Sequence, residues 1–192
     1  MQLENLGHAF LSLEEYQKAE EIYQQAIQIA DDISLPFEQN SARLGLAKTN
    51  LFQNDLVNAR ATIEATLQND DPTNNHNATT LHGIIALRQG EGNIAHQAFT
   101  RAITQADEIL AKSPDYYSPL DAKGLALCGL ALCDGKQYIP AAIETFRAAR
   151  KIAPHAGIVK RVLRLFDELV KCDEEGMLAE VRKAVEGSET RT

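Results

Sequence analysis

Asp70 and Asp71 stand side by side before Pro72, and five histidines (His8, His76, His82, His96, His155) and three cysteines (Cys128, Cys133, Cys172) are spread along the 192-residue chain. These are the side chains that could do acid–base, metal or thiol chemistry. Neighbouring carboxylates share a proton or hold a cation only when a second element points at them. Here no such element is evident, and capping of the next helix is the simpler role. His76 and His82 lie six residues apart, on different faces of a helix, and no histidine has an i,i+4 partner in a convincing metal arrangement. Cys128 and Cys133 are five apart on one helix and point in different directions, and none of the three cysteines forms a CxxC pair. Buried thiols in a reducing cytoplasm are the expectation, with redox sensing through Cys128 and Cys133 as the unsupported alternative.

The sequence holds no P-loop, no GxGxxG after a strand and no HExxH. "QGEGN" and "CDGKQ" fall between helices by register, and "GEGN" lacks the preceding strand that a phosphate cradle requires. The expectation is a protein without catalytic residues, metal or cofactor. Nineteen basic against 27 acidic side chains give a net charge of −8. That balance opposes a nucleic-acid binder, which needs a basic face to displace counterions from phosphates. No run approaches the roughly 18 apolar residues that span a bilayer, and "MQLENLGHAF" lacks a secretory signal's basic flank and apolar core. A cytoplasmic protein is expected.

The elements that must position any site are written in a repeat. From Gly7, steps of 12, 4 and 3 residues reach Ala19, Tyr23 and Ala26. The same steps lead from Ala47 to Ala59, Ile63 and Thr66, and from Gly83 to Ala95, Phe99 and Ala102. A fourth copy runs from Gly129 to Ala141, where Phe146 and Ala149 fit only after one inserted residue. Residues three or four apart share a helix face. The pattern therefore predicts pairs of amphipathic helices in which a small residue of the first helix admits the alanine of the second, and the large residue fills the space beside them. Glycine costs about 1 kcal/mol against alanine inside a helix, so its use here implies close contact. "LEEYQKA", "QNDLVNA", "QGEGNIA" and "DGKQYIPA" are the turns within pairs; "ISLPF", "NDDPTNN", "KSPDYYSP" and "IAPHAG" place proline between pairs.

This pattern resembles the tetratricopeptide repeat. The first copy matches best, through Leu3, Leu6, Gly7, Phe10, Tyr16, Ala19, Tyr23 and Ala26; the fourth follows, with Pro154 closing "ETFRAARKIAP". Thr66 and Ala86 depart from the family's preferred types, and the spacings Ala19–Ala59 (40) and Ala95–Ala141 (46) exceed its 34-residue period, which implies lengthened helices. The resemblance implies an all-α, right-handed helical-hairpin solenoid. Its four pairs fall at about 1–34, 35–72, 73–113 and 114–154 within a repeat array of 1–154, followed by a closing helical pair at 155–187 and a disordered tail at 188–192. In the closing pair, Val159, Val162, Leu163, Phe166 and Leu169 share a face, then Met177, Leu178, Val181 and Val185, as an array end requires. The first helix has no equivalent cap. Either that face binds something, including a second copy of the chain, or the chain is a piece of a longer array; the second is preferred.

The resemblance further implies that first helices line a concave groove. By helical stepping its partner-binding face is His8 and Leu11, then Lys48 and Phe52, then Asn77, Thr80, Ile84 and Arg88, then Lys123 and Leu130. Tetratricopeptide domains that clamp a chaperone's carboxylate use Lys and Asn where this chain has Glu4 and His8, so that ligand is not expected. Lys48, Arg88 and Lys123 favour an acidic or phosphorylated protein partner. Tyr116 and Tyr117, between Pro114 and Pro119, either pack the inter-repeat link or touch a partner. The expected function is a non-enzymatic scaffold that binds a peptide or protein segment in its groove. The alternative is the sensor region of a larger signalling ATPase or transcriptional regulator.

Overall fold

Residues 2–32 and 36–187 are described by a computed structural model, and the tail expected at 188–192 lies outside them. All regular structure among the described residues is helical, and no helix among them is long and apolar enough to cross a membrane. The chain divides into two compact units, Met1–Asp71 and Pro72–Thr192. The first holds α1 (Gln2–Ser12), α2 (Tyr16–Asp32), α3 (Pro36–Phe52) and α4 (Leu56–Leu67). The second holds α5 (Asn75–Arg88), α6 (Gly92–Leu110), α7 (Tyr117–Asp134), α8 (Ile139–Ile152), α9 (Ala156–Val170) and α10 (Arg182–Glu186), with short 3-10 turns at Lys136–Tyr138 and Met177–Glu180. In unit 1, and from α5 to α8 in unit 2, consecutive helices pack together, and the first helices of successive pairs also touch, α1 on α3 and α5 on α7. This is the layering of an all-α solenoid of helix pairs.

The long spacings are helix rather than loop. α2 and α3 run 17 residues each, and α6 and α7 run 19 and 18, against 12 and 14 for α4 and α5.

Three of the four turns within pairs are copies in backbone geometry. Glu14, Asn54 and Gly90 each adopt a left-handed φ of 64°, 63° and 77°. The next amide in each turn then bonds back five residues, Glu15 to the Phe10 carbonyl (3.0 Å), Asp55 to Asn50 (2.8 Å) and Glu91 to Ala86 (2.9 Å). These close the first helix in the Schellman manner and set the second on its way. Asp55 also caps α4, its carboxylate accepting from the Asn58 N–H at 3.1 Å. Asp70 and Asp71 do not take the corresponding place before α5, where Asn74 stands at the N-cap.

The fourth turn differs because it carries the extra residue. Gly135, at φ 111°, leads into the 3-10 turn at Lys136–Tyr138, which shifts α8 by one position. The alanine of the fourth pair is accordingly Ala142, which is buried, and not Ala141, which is exposed. From Ala142 the steps of 4 and 3 to Phe146 and Ala149 are regular, and both of these are buried.

Packing at the glycines corrects the expected pairing. The space that a Cβ on Gly7 would enter belongs to the Tyr23 ring (2.7 Å), not to Ala19, and the same ring would meet a Cβ on Gly45 at 2.4 Å. Tyr23 is therefore held between a glycine of its own pair and one of the next. Unit 2 repeats the device, with the Phe99 ring 2.6 Å from the Cβ position of Gly83 and 2.2 Å from that of Gly129, while Phe146 closes on Gly124 at 2.7 Å. Real Cβ atoms do not approach carbon this closely, so an added methyl would displace the ring and the helix carrying it. Gly45→Ala or Gly129→Ala is expected to cost about 1–3 kcal/mol in urea unfolding. Gly92→Ala, a helical site with nothing within 4 Å, is expected to be neutral or to stabilise by up to about 1 kcal/mol.

Candidate functional site

In unit 1 the face expected to bind is built on α1 and α3. Tyr23 is buried, yet its hydroxyl reaches that face and shares a 2.6 Å hydrogen bond with His8 Nδ1, the two rings meeting edge-on. Burial, and secondarily the Glu4 carboxylate, push the Tyr23 phenol above its ordinary value, so the hydroxyl stays protonated. His8 is exposed and Lys48 half-buried, whereas Leu11 belongs to the core and Phe52 packs against it. His8 and Lys48 are thus the two groove residues of unit 1 that offer polar groups at the surface. Reading Tyr23 as a space-filler from its register missed the hydroxyl; its only sequence signal was that this copy carries tyrosine where another carries phenylalanine.

In unit 2 the corresponding side chains are committed within the fold. Ile84 and Leu130 are buried. Asn77 donates to Ser118 Oγ at 3.2 Å, and Thr80 donates to the His76 carbonyl at 2.7 Å and towards the Ala122 carbonyl at 3.4 Å, so these residues tie α5 to α7. Lys123 donates to Asp107 of α6 at 2.6 Å. Arg88 forms an ion pair with Glu168 of α9, with side-chain exposures of 12% and 5%. α9 packs against both α5 and α7, burying Val162, Phe166, Glu168 and Leu169. The closing helix therefore lies over first helices of unit 2, and Glu168, which helical periodicity does not single out, is the partner of Arg88.

Burial pushes the thiols of Cys128, Cys133 and Cys172 up, away from the nucleophilic thiolate. No group of three His, Cys, Asp or Glu among the described residues is placed to hold a metal ion. His96 Nε2 lies 2.8 Å from Asp134 Oδ2 across α6 and α7. Tyr116, 41% exposed, meets Tyr117 edge-on with centroids 6.2 Å apart. Asp121 of α7 pairs with Arg150 of α8 inside the protein. Burial lifts the Asp121 carboxyl to about 6, a rise that Arg150 opposes without cancelling.

Glu168→Gln takes a buried carboxylate away from Arg88 and is expected to destabilise by about 3–5 kcal/mol. Arg88→Met with Glu168→Leu should recover most of that loss, and Lys123→Ala should cost about 0–1 kcal/mol because its pair is partly exposed; thermal and urea unfolding compare the three. Asp121 sets a pH dependence of its own. Its folded pKa of about 6 exceeds the reference 3.8, so between those values the folded state holds the proton that the unfolded state releases. Its contribution therefore falls, by up to about 3 kcal/mol, as pH rises from about 4 to 6, and is constant above. Asp121→Asn should flatten that part of the stability profile measured by urea titration at each pH.

No protein-family model matches the sequence, and no curated protein matches it. Among solved structures the chain is similar to MamA AMB-1, at 16% identity, over 100% of this chain and 92% of that one, with a TM-score of 0.43.

Proposed function

We propose that this protein is a non-enzymatic interaction scaffold that recognises a peptide or segment of another protein on the first-helix face of unit 1. What carries the reading is the construction of that face. The Tyr23 ring, clasped by Gly7 and Gly45, fixes α1 against α3 and delivers a protonated hydroxyl to the exposed His8, with Glu4 and Lys48 on the same two helices. A rigid floor bearing a few polar groups suits recognition of an extended or helical segment through several weak contacts. The tetratricopeptide resemblance agrees with this layout. Arg88 and Lys123 are paired internally, so neither carries a preference for an acidic or phosphorylated segment.

Exposed Leu6 and Leu13, in and just after α1, and Ile29 on α2 favour a second reading. Apolar side chains in such places take up a further helix, from a longer chain or a second copy, and the array then serves as the sensor region of a larger signalling ATPase or regulator. Affinity capture with the intact chain tests the first reading. Partners retained by the unmodified chain and by Lys123→Ala should be lost from a His8→Ala, Lys48→Ala double variant; recovery of the same partners by all three removes unit 1's face from the binding surface.

A further inference from the structure

Charge is not spread evenly along the chain. Six of its 19 basic side chains fall within residues 145–164, a stretch without a carboxylate, in a molecule of net charge −8. That stretch is the second half of α8, the short link 153–155 and the first part of α9. Burial raises the Asp121 carboxyl, and Arg150 of α8 and Arg161 of α9 both stand near enough to oppose that rise. The two helical parts therefore meet at one basic corner, where Arg147, Lys151, Lys160 and Arg161 are exposed and so is Ile152. α1 and α2 have the opposite composition. Residues 2–32 hold seven carboxylates and one cation, Lys18, which pairs with Glu15. Glu21, Ile29 and Asp32 are exposed along one side of α2, and Leu6 and Leu13 are exposed in and just after α1. Glu21, Asp32, Lys151 and Arg161 form no ion pair among the described residues.

We infer that these two surfaces bind each other between copies of the chain, the acidic and apolar side of α1 and α2 in one copy seating on the basic α8–α9 corner of another. Leu6, Leu13 and Ile29 supply apolar area, and the surrounding charges select and orient the partner surface. A two-fold contact of α1 and α2 with themselves would set carboxylates against carboxylates. The contact is therefore heterologous, joining different surfaces of the two copies. The inference rests on the second reading given above for α1, and it names what covers the exposed leucines.

Sedimentation velocity on the full chain, taken to about 0.5 mM, tests it. The unmodified chain should associate in about 50 mM salt, with a dissociation constant at least fivefold higher in about 500 mM salt, where exposed charges are screened. Glu21→Lys with Asp32→Lys should leave a monomer, and so should Lys151→Glu with Arg161→Glu. Mixed in equal amounts, the two variants should associate again, because the acidic face kept by the second meets the basic corner kept by the first. A strict monomer at every concentration overturns the proposal, including one that retards single-stranded DNA instead. Association that either pair of substitutions leaves unchanged overturns it too, as does a mixture that stays monomeric. If circular dichroism finds one variant unfolded, the other variant and the salt dependence of the unmodified chain decide. A helix of a longer chain on Leu6 and Ile29 would leave this chain monomeric, so the self-contact falls there while the second reading stands.

Discussion

The contact on which the packing depends is an aromatic ring held between two glycines. Tyr23 between Gly7 and Gly45, and Phe99 between Gly83 and Gly129, each join three consecutive helices at one point. A glycine inside a helix is a local loss of about 1 kcal/mol. It is offset because the ring gains close contact with two helix backbones with no side chain intervening, and dispersion falls off steeply with separation. The same clasp sets how near successive first helices approach, and so fixes the spacing of whatever those helices display.

That spacing is put to different use in the two units. In unit 1 it presents His8, with the Tyr23 hydroxyl behind it, on α1, and Lys48 on α3. In unit 2 a row of hydrogen bonds from Asn77 and Thr80 joins α5 to α7, and α9 lies over both. The buried ion pairs Arg88–Glu168 and Asp121–Arg150 belong to unit 2. Such pairs contribute little net stability against an apolar alternative, but they penalise any arrangement that separates them. Their effect is to make one placement of α9 and α8 much better than its neighbours.

Much of the fold was legible in the residue order because it is local. The alternation of small and large residues at helical spacing, the turn residues Asn54 and Gly90, and Asp55 at its cap all act within a few positions of themselves. The inserted residue of the fourth copy was visible too. Its location was not, since Ala141 and Ala142 are chemically identical and only the 3-10 turn after Gly135 decides which faces inward. The site was less legible. Helical stepping placed Arg88 and Lys123 on the groove face, but it could not say that Glu168 and Asp107 meet them there. An ion pair across helices leaves no period in the sequence.

The sequence by itself determined that the chain is helical, paired and repeated, because periodicity and small-residue spacing express backbone geometry directly. Only the tertiary structure decided which ring each glycine seats and which surface α9 covers. The attraction of apolar faces has no direction. An amphipathic helix states that it must be covered without stating by what, and the partner is chosen by shape and by the pairing of buried charges.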